Sequence, residues 1–118
     1  MPNNSELGKT GEALAARFLE ELGFQVMVHN YRHGRAEIDL IVEKDQMRVF
    51  IEVKTRSGTG YGFPELAVSA NKIRLFKAAA EHYLLETGWE YELRFDIIAI
   101  LIRPGQKPEI EHLEDVFY

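Results

Sequence analysis

Asp39, Glu52 and Lys54 carry the clearest chemical signal in the chain. Asp39 lies in the alternating stretch AEIDLIVE, and Glu52 and Lys54 lie in MRVFIEVKTR, with the polar turn Lys44-Asp45-Gln46 between them. Side chains alternate between the faces of a strand. Glu37 and Asp39 therefore share one face of the first strand, and Glu52, Lys54 and Arg56 share one face of the second. Ile38, Leu40 and Val42, with Val49, Ile51 and Val53, form apolar faces expected to lie on the same side of the sheet, towards one core. With Asp45 and Gln46 as the turn, Ile38 faces Val53, Leu40 faces Ile51 and Asp39 faces Glu52. A slip of two residues still leaves Asp39 beside Glu52 or Lys54. Two adjacent carboxylates repel on a sheet surface. A hard divalent cation such as Mg²⁺ removes that conflict, because it favours carboxylate and water oxygens. Such a cation acidifies water and neutralises a phosphate, while a lysine supplies positive charge for an attacking hydroxide and for phosphate oxygens. The implied chemistry is phosphodiester hydrolysis.

The elements that must position these groups follow from the apolar pattern. Leu7, Leu14, Ala15, Phe18, Leu19 and Leu22 recur at helical spacing, and Gly23 is a natural stop, so 7–22 reads as a helix. Residues 24–28 read as a strand and HNYRHGR (29–35) as a polar connection. Segments 36–43 and 47–56 form a β-hairpin. SGTGYGFP (57–64) is a glycine-rich loop. Residues 69–87 form a second helix with Ser69 as N-cap and Gly88 as stop. Residues 90–102 form a long strand whose apolar end suits a position buried on both sides. Pro104-Gly105 turns the chain into a short extended piece at 109–112. The order is α-β-β-β-α-β, an α/β sandwich of mixed strand direction.

The length, 118 residues, suits one domain spanning 1–118, with room for a single core. There is no cysteine, which excludes disulfides, thiolate metal sites and cysteine nucleophiles. No hydrophobic leader is visible at the start, and no apolar run approaches the roughly 20 residues of a membrane helix. A cytoplasmic protein with no membrane partner is expected. The net charge of −5 argues against coating nucleic acid by charge alone. Its distribution is uneven: 1–28 carry two bases and four acids, 29–77 nine and six, and 78–118 three and nine. The basic middle thus holds the candidate site, and the acidic last third could face a protein or limit nonspecific DNA binding.

Asp39, followed after twelve residues by Glu52-Val53-Lys54, resembles the PD-(D/E)xK signature of the restriction-endonuclease-like superfamily. A helix carboxylate ahead of two strands carrying D and ExK is similar to archaeal Holliday-junction resolvases. Nearly the whole chain resembles the YraN-like family of small bacterial proteins, through GKTGEALAARFLEELGF, AEIDLI, FIEVKTR, AVSANK and RFDIIAI. The resemblance implies a restriction-endonuclease-like sandwich, a mixed central sheet flanked by helices. It implies Asp39, Glu52 and the Val53 carbonyl as ligands of Mg²⁺ or Mn²⁺, Glu12 as the helix carboxylate, and Lys54 as the catalytic lysine. The expected activity is a metal-dependent endonuclease on DNA, branched or single-stranded, in repair or recombination. Ile38 stands in place of the proline of that signature, which many members of the superfamily lack.

The remaining candidates are weighed against ordinary roles. Glu12 lies at the edge of the apolar stripe of the first helix, able to reach over the sheet, beside Gly8 and Gly11, which either permit close approach by the sheet or a phosphate or mark a helix that starts late. Glu37 reads as supporting. Arg32, Arg35, Arg56 and Lys72 are candidate phosphate contacts, Lys72 near a helix N-terminus where anions are favoured. Tyr61 and Phe63 could stack on unpaired bases. His29 and His33 read as solvated loop residues, and Asp96 as a buried structural acid paired with Arg94 or a helix residue. The GTGYG run lacks the lysine of a phosphate-binding loop, which excludes that class. Two further readings stand beside the enzyme: a nucleic-acid-binding module, and an accessory subunit needing a protein partner. A homodimer would suit a symmetric junction.

Overall fold

The structure, a computed structural model, describes residues 4–57, 68–88 and 92–116. Its elements in order are helix α1 (Asn4–Glu21), strands β1 (Gln25–His33), β2 (Ala36–Lys44) and β3 (Met47–Ser57), helix α2 (Ala70–Thr87), and strands β4 (Glu92–Ile102) and β5 (Glu109–Leu113). The strands form one five-stranded sheet in the order β1-β2-β3-β4-β5. β3 and β4 run parallel and the other neighbours antiparallel. This is a mixed α/β fold with two helices, α2 serving as the crossover that a parallel pair requires. Tyr61 and Phe63 lie outside the described residues. Among the described residues, no helix is long and apolar enough to cross a membrane.

Each helix covers one face of the sheet. α1 lays Ala15, Ala16 and Leu19 on Leu40, Val42, Val49, Ile51, Ile98 and Ile100. It ends in a Schellman-type cap: Gly23 is left-handed (φ 96°), Gly23 N donates to Glu20 O and Phe24 N to Leu19 O. α2 lays Phe76, Ala79, Ala80 and Tyr83 on Ala36, Ile38, Ile41, Phe50 and Ile97. Ser69 caps its start by accepting from Lys72 N at 3.1 Å, and Gly88 (φ 66°) closes its end by donating to Leu84 O. The sheet thus divides two apolar clusters, where one core was expected from the hairpin. Gly11 is where α1 touches β3, since a Cβ there would overlap Thr55 Oγ1.

The β2–β3 hairpin keeps the expected register. Asp45 and Gln46 are both left-handed (φ 50° and 64°), as a two-residue hairpin turn demands, and pairing runs from Lys44–Met47 to Leu40–Ile51. The expected pairs Asp39–Glu52 and Ile38–Val53 are not part of it. β2 continues alone with β1 as far as His33–Ala36, and β3 continues with β4 as far as Ser57–Ile102. The sheet therefore forks in its middle, just beyond Leu40 and Ile51. At the fork, Val53 N–H donates to Asp39 Oδ2 at 2.7 Å, so a side chain takes the place of the next rung.

Two further expectations need correction. Residues 29–33 are not a connection; they continue β1 to a tight turn in which Gly34 has φ 60°. β1 is an edge strand with much of its surface exposed, so no apolar alternation announces it. Nor does Ile38 share a face with Leu40 and Val42. It packs with Ala36, Ile41 and Phe50 on the α2 side. The cause lies across the ladder at Asn30, whose φ of 54° falls between the pairs His29–Leu40 and Tyr31–Ile38. That kink changes the face of both strands together: Val28 and Tyr31, three residues apart, also pack on the α2 side.

Candidate functional site

The fork gathers the acidic residues. Carboxylate oxygens of Glu12, Glu37 and Asp39 lie within 4.8 Å of one another, a spacing one cation could bridge. Each comes from a different local cause. Close approach at Gly11 brings Glu12 over the sheet, and the kink at Asn30 turns Glu37 and Asp39 into the opening. A side-chain hydrogen bond from Asn30 holds Glu12. β3 contributes Glu52, which is 8% exposed. Its Oε1 accepts from Lys72 Nζ at 2.8 Å, and it is not one of the three grouped carboxylates. A cleft of about 290 Å³ opens beside them, with Arg35, Glu37, Asp39, Glu52 and Lys72 in its wall and Leu75 and Phe76 as its apolar side.

Electrostatics follow from this crowding. Burial pushes the Asp39 carboxyl up, and Glu52, Glu12 and Glu37 push it further against the Val53 N–H, bringing it to about 7. Glu12 is also raised, by burial and by Glu37 and Glu52, with Asn30 and His29 acting in the other direction. Stability alone does not favour such a group of acids, because like charges a few ångströms apart repel and partial burial strengthens the repulsion. A divalent cation would relieve it, and the all-oxygen donor set would fit Mg²⁺ or Mn²⁺.

The expected site residues fall into three groups. Glu12, Glu37, Asp39 and Glu52 converge, and Glu37, read as supporting, stands inside the carboxylate group. Val53 brings its amide N–H to Asp39. Lys54 follows Glu52 on the same face of β3, half-buried, but among the described residues is not part of the cleft wall. Of the basic candidates, Arg35 lines the cleft, Arg32 pairs with Glu37 at 3.2 Å, Lys72 pairs with Glu52, and Arg56 is exposed beyond Lys54 on β3. His33 stacks on His82 with ring centroids 3.9 Å apart. Asp96 is the structural acid expected, fully buried and held by Arg94 and also by His112.

Asn30 was missed. Its only signal in the sequence is its residue type, since asparagine tolerates the left-handed region better than most residues. Leu75 and Phe76 were missed as cleft residues because on a helix of mostly apolar spacing they look like any core residue.

Comparison with known proteins places these residues in one family. The model of the "Uncharacterised protein family UPF0102" matches residues 11–100. The chain belongs to this family. A UPF0102 protein of Rhodococcus jostii is 43% identical over 118 residues, covering 99% of this chain and all of the relative. Another, from Flavobacterium psychrophilum, is 39% identical over all of this chain and 98% of its own length. A third, from Geobacter sulfurreducens, is 40% identical over 98% of this chain and 91% of its own length. The UPF0102 match contains Glu12, Glu37, Asp39, Glu52, Lys54 and Lys72 together.

Proposed function

We propose that this UPF0102 protein is a divalent-metal-dependent nuclease of the restriction-endonuclease-like kind, cutting DNA phosphodiester bonds. The observation that carries the reading is the fork between β2 and β3, where acidic side chains from α1, β2 and β3 meet beside a cleft. The sequence likeness to the PD-(D/E)xK signature and to archaeal Holliday-junction resolvases supports it. Glu12, Glu37, Asp39 and Glu52 would hold Mg²⁺ or Mn²⁺. When bound, the cation supplies positive charge to the scissile phosphate and acidifies water beside it.

The chain's own groups have separable tasks. The Val53 N–H fixes the orientation of Asp39. Lys54, on the Glu52 face of β3, offers positive charge to the phosphate in flight, the kind of stabilisation that costs no reorganisation once built. Arg35 at the cleft holds the substrate backbone, which positions DNA without reading its sequence. Branched and single-stranded DNA are the preferred substrates in this reading.

The test is cleavage of labelled single-stranded, duplex, flap and four-way-junction DNA in Mg²⁺, Mn²⁺ or EDTA. Cutting is expected with metal only, falling at least about a hundredfold in Glu52→Ala and Lys54→Ala. Absence of cutting on every substrate, in folded protein, would replace this reading with a nucleic-acid-binding or accessory role.

A further inference from the structure

Glu52 is the more buried of two acids in the site whose carboxylates already carry a cation, the other being Glu37 with Arg32. The Glu52 side chain is 11% exposed, and the ammonium of Lys72 sits on it at 2.8 Å. Lys72 is differently placed: its backbone is fixed in the first turn of α2 through the Ser69 cap, yet its side chain is 52% exposed. A lysine so anchored has a flexible four-carbon stem and open space into which its ammonium can move. The surrounding charge gives that movement a direction. Glu12, Glu37, Asp39 and Glu52 together carry up to four negative charges, with Lys72 on Glu52, Arg32 on Glu37 and Arg35 in the cleft wall as the cations beside them. A divalent cation entering among them competes directly with Lys72 for Glu52.

We propose that Lys72 is a place-holding cation. It neutralises Glu52 while no divalent cation is bound, and it transfers to a phosphate oxygen of the substrate once the cation takes Glu52. The proposal rests on the nuclease reading and adds a coupling to it: loading of the site releases the group that grips the substrate. The start of α2 suits both states, because the first turn of a helix favours an incoming anion. Lys72 and Arg35 line the same cleft, so the released ammonium and the guanidinium would meet one backbone from two sides. A salt bridge that merely tied α2 to β3 would behave differently, since its removal would loosen the site and weaken metal binding.

The experiment measures Mn²⁺ binding by calorimetry in the whole protein without DNA, comparing wild type, Lys72→Ala, Lys72→Gln and Glu52→Gln. Thermal melts confirm that each variant is folded. Both Lys72 variants are expected to bind Mn²⁺ about fivefold tighter, the scale set by a partly exposed ion pair, and Glu52→Gln to bind it more weakly than wild type. Oligonucleotide affinity in Ca²⁺ should fall severalfold in the Lys72 variants. Folded Lys72 variants with unchanged or weaker Mn²⁺ binding would overturn the exchange while leaving the nuclease reading intact. If wild type and both Lys72 variants bind no Mn²⁺ at millimolar concentration, the metal-dependent reading falls, and the exchange with it.

Discussion

Asp39 and Asp96 stand near each other in one sheet and live in opposite surroundings. Asp96, whose register partner on β3 is Ile51, takes the Arg94 guanidinium through two hydrogen bonds of 2.9 Å, His112 Nε2 at 2.7 Å and the Asp115 N–H at 3.0 Å. Burial pushes its carboxyl up, but the bonds from His112, Arg94 and Asp115 outweigh that, and it is held below the usual carboxylate range. Asp39 has one backbone N–H and three neighbouring carboxylates, and is raised to about 7. The surroundings of Asp96 are complete without any ligand. Those of Asp39 hold three carboxylates against one N–H, a shortage of positive charge that a divalent cation would relieve in the proposed reading. The contrast separates a carboxylate that fastens β4 to β5 from one that, in the proposed reading, is held ready for chemistry.

The largest expected effect tests the fastened side. Asp96→Asn keeps the shape but removes the charge that Arg94 and His112 face, which should cost about 3 kcal/mol by chemical denaturation at pH 7. The pH dependence has a definite sign. A carboxyl whose folded-state pKa is lowered contributes stability above its unfolded value, here 3.8, and loses it as pH falls through the lower folded value. Wild type should thus lose stability more steeply than Asp96→Asn below about pH 4. Equal acid slopes would remove Asp96 from the comparison.

A second, smaller effect probes how the helix completes the site. Gly11→Ala places a methyl against Thr55 and should cost about 1–3 kcal/mol. Glu12 is the next residue, so the same substitution should weaken Mn²⁺ binding severalfold, and Thr55→Ala should restore part of both losses. Asp96 lies outside this contact, so its acid slope should persist unchanged in Gly11→Ala. A substitution that altered both regions equally would show that the two are one unit.

Much of this arrangement was legible in the residues, and the gaps have physical causes. Alternation in 36–43 and 47–56 was enough for the hairpin, its turn at Asp45-Gln46 and the Leu40–Ile51 register. The stripe of α1 was enough to aim Glu12 at the sheet. Alternation says which face a side chain takes while a strand stays regular; it does not say where two strands part. The fork and the kink at Asn30 were therefore invisible, and Ile38 was assigned to the wrong face. Strand 29–33 was missed because an edge strand need not be apolar. The partners of long side chains were equally hidden: Glu52 with Lys72, 20 residues on, and Asp96 with His112, 16 residues on, depend on how elements pack.

The smallest effect is the sharpest test, because one type of substitution should act with opposite sign at the two positions. Asp39 has a folded-state pKa above its unfolded value of 3.8, so its contribution to stability is whole below that value and is lost as pH rises through about 7. Asp39→Asn removes the repulsion with Glu52, Glu12 and Glu37, while its side-chain oxygen can still accept the Val53 N–H. The metal-free variant should therefore be more stable than wild type at pH 8, by on the order of 1 kcal/mol, with the gain vanishing near pH 4. Asp96→Asn should be less stable at the same pH. Saturating Mn²⁺ should then reverse the order at position 39, since a ligand that binds only the folded state stabilises the protein able to hold it. A metal-free Asp39→Asn that melted below wild type at pH 8 would mean that Asp39, like Asp96, is fastened by partners it already has, and the division between the two regions would not stand.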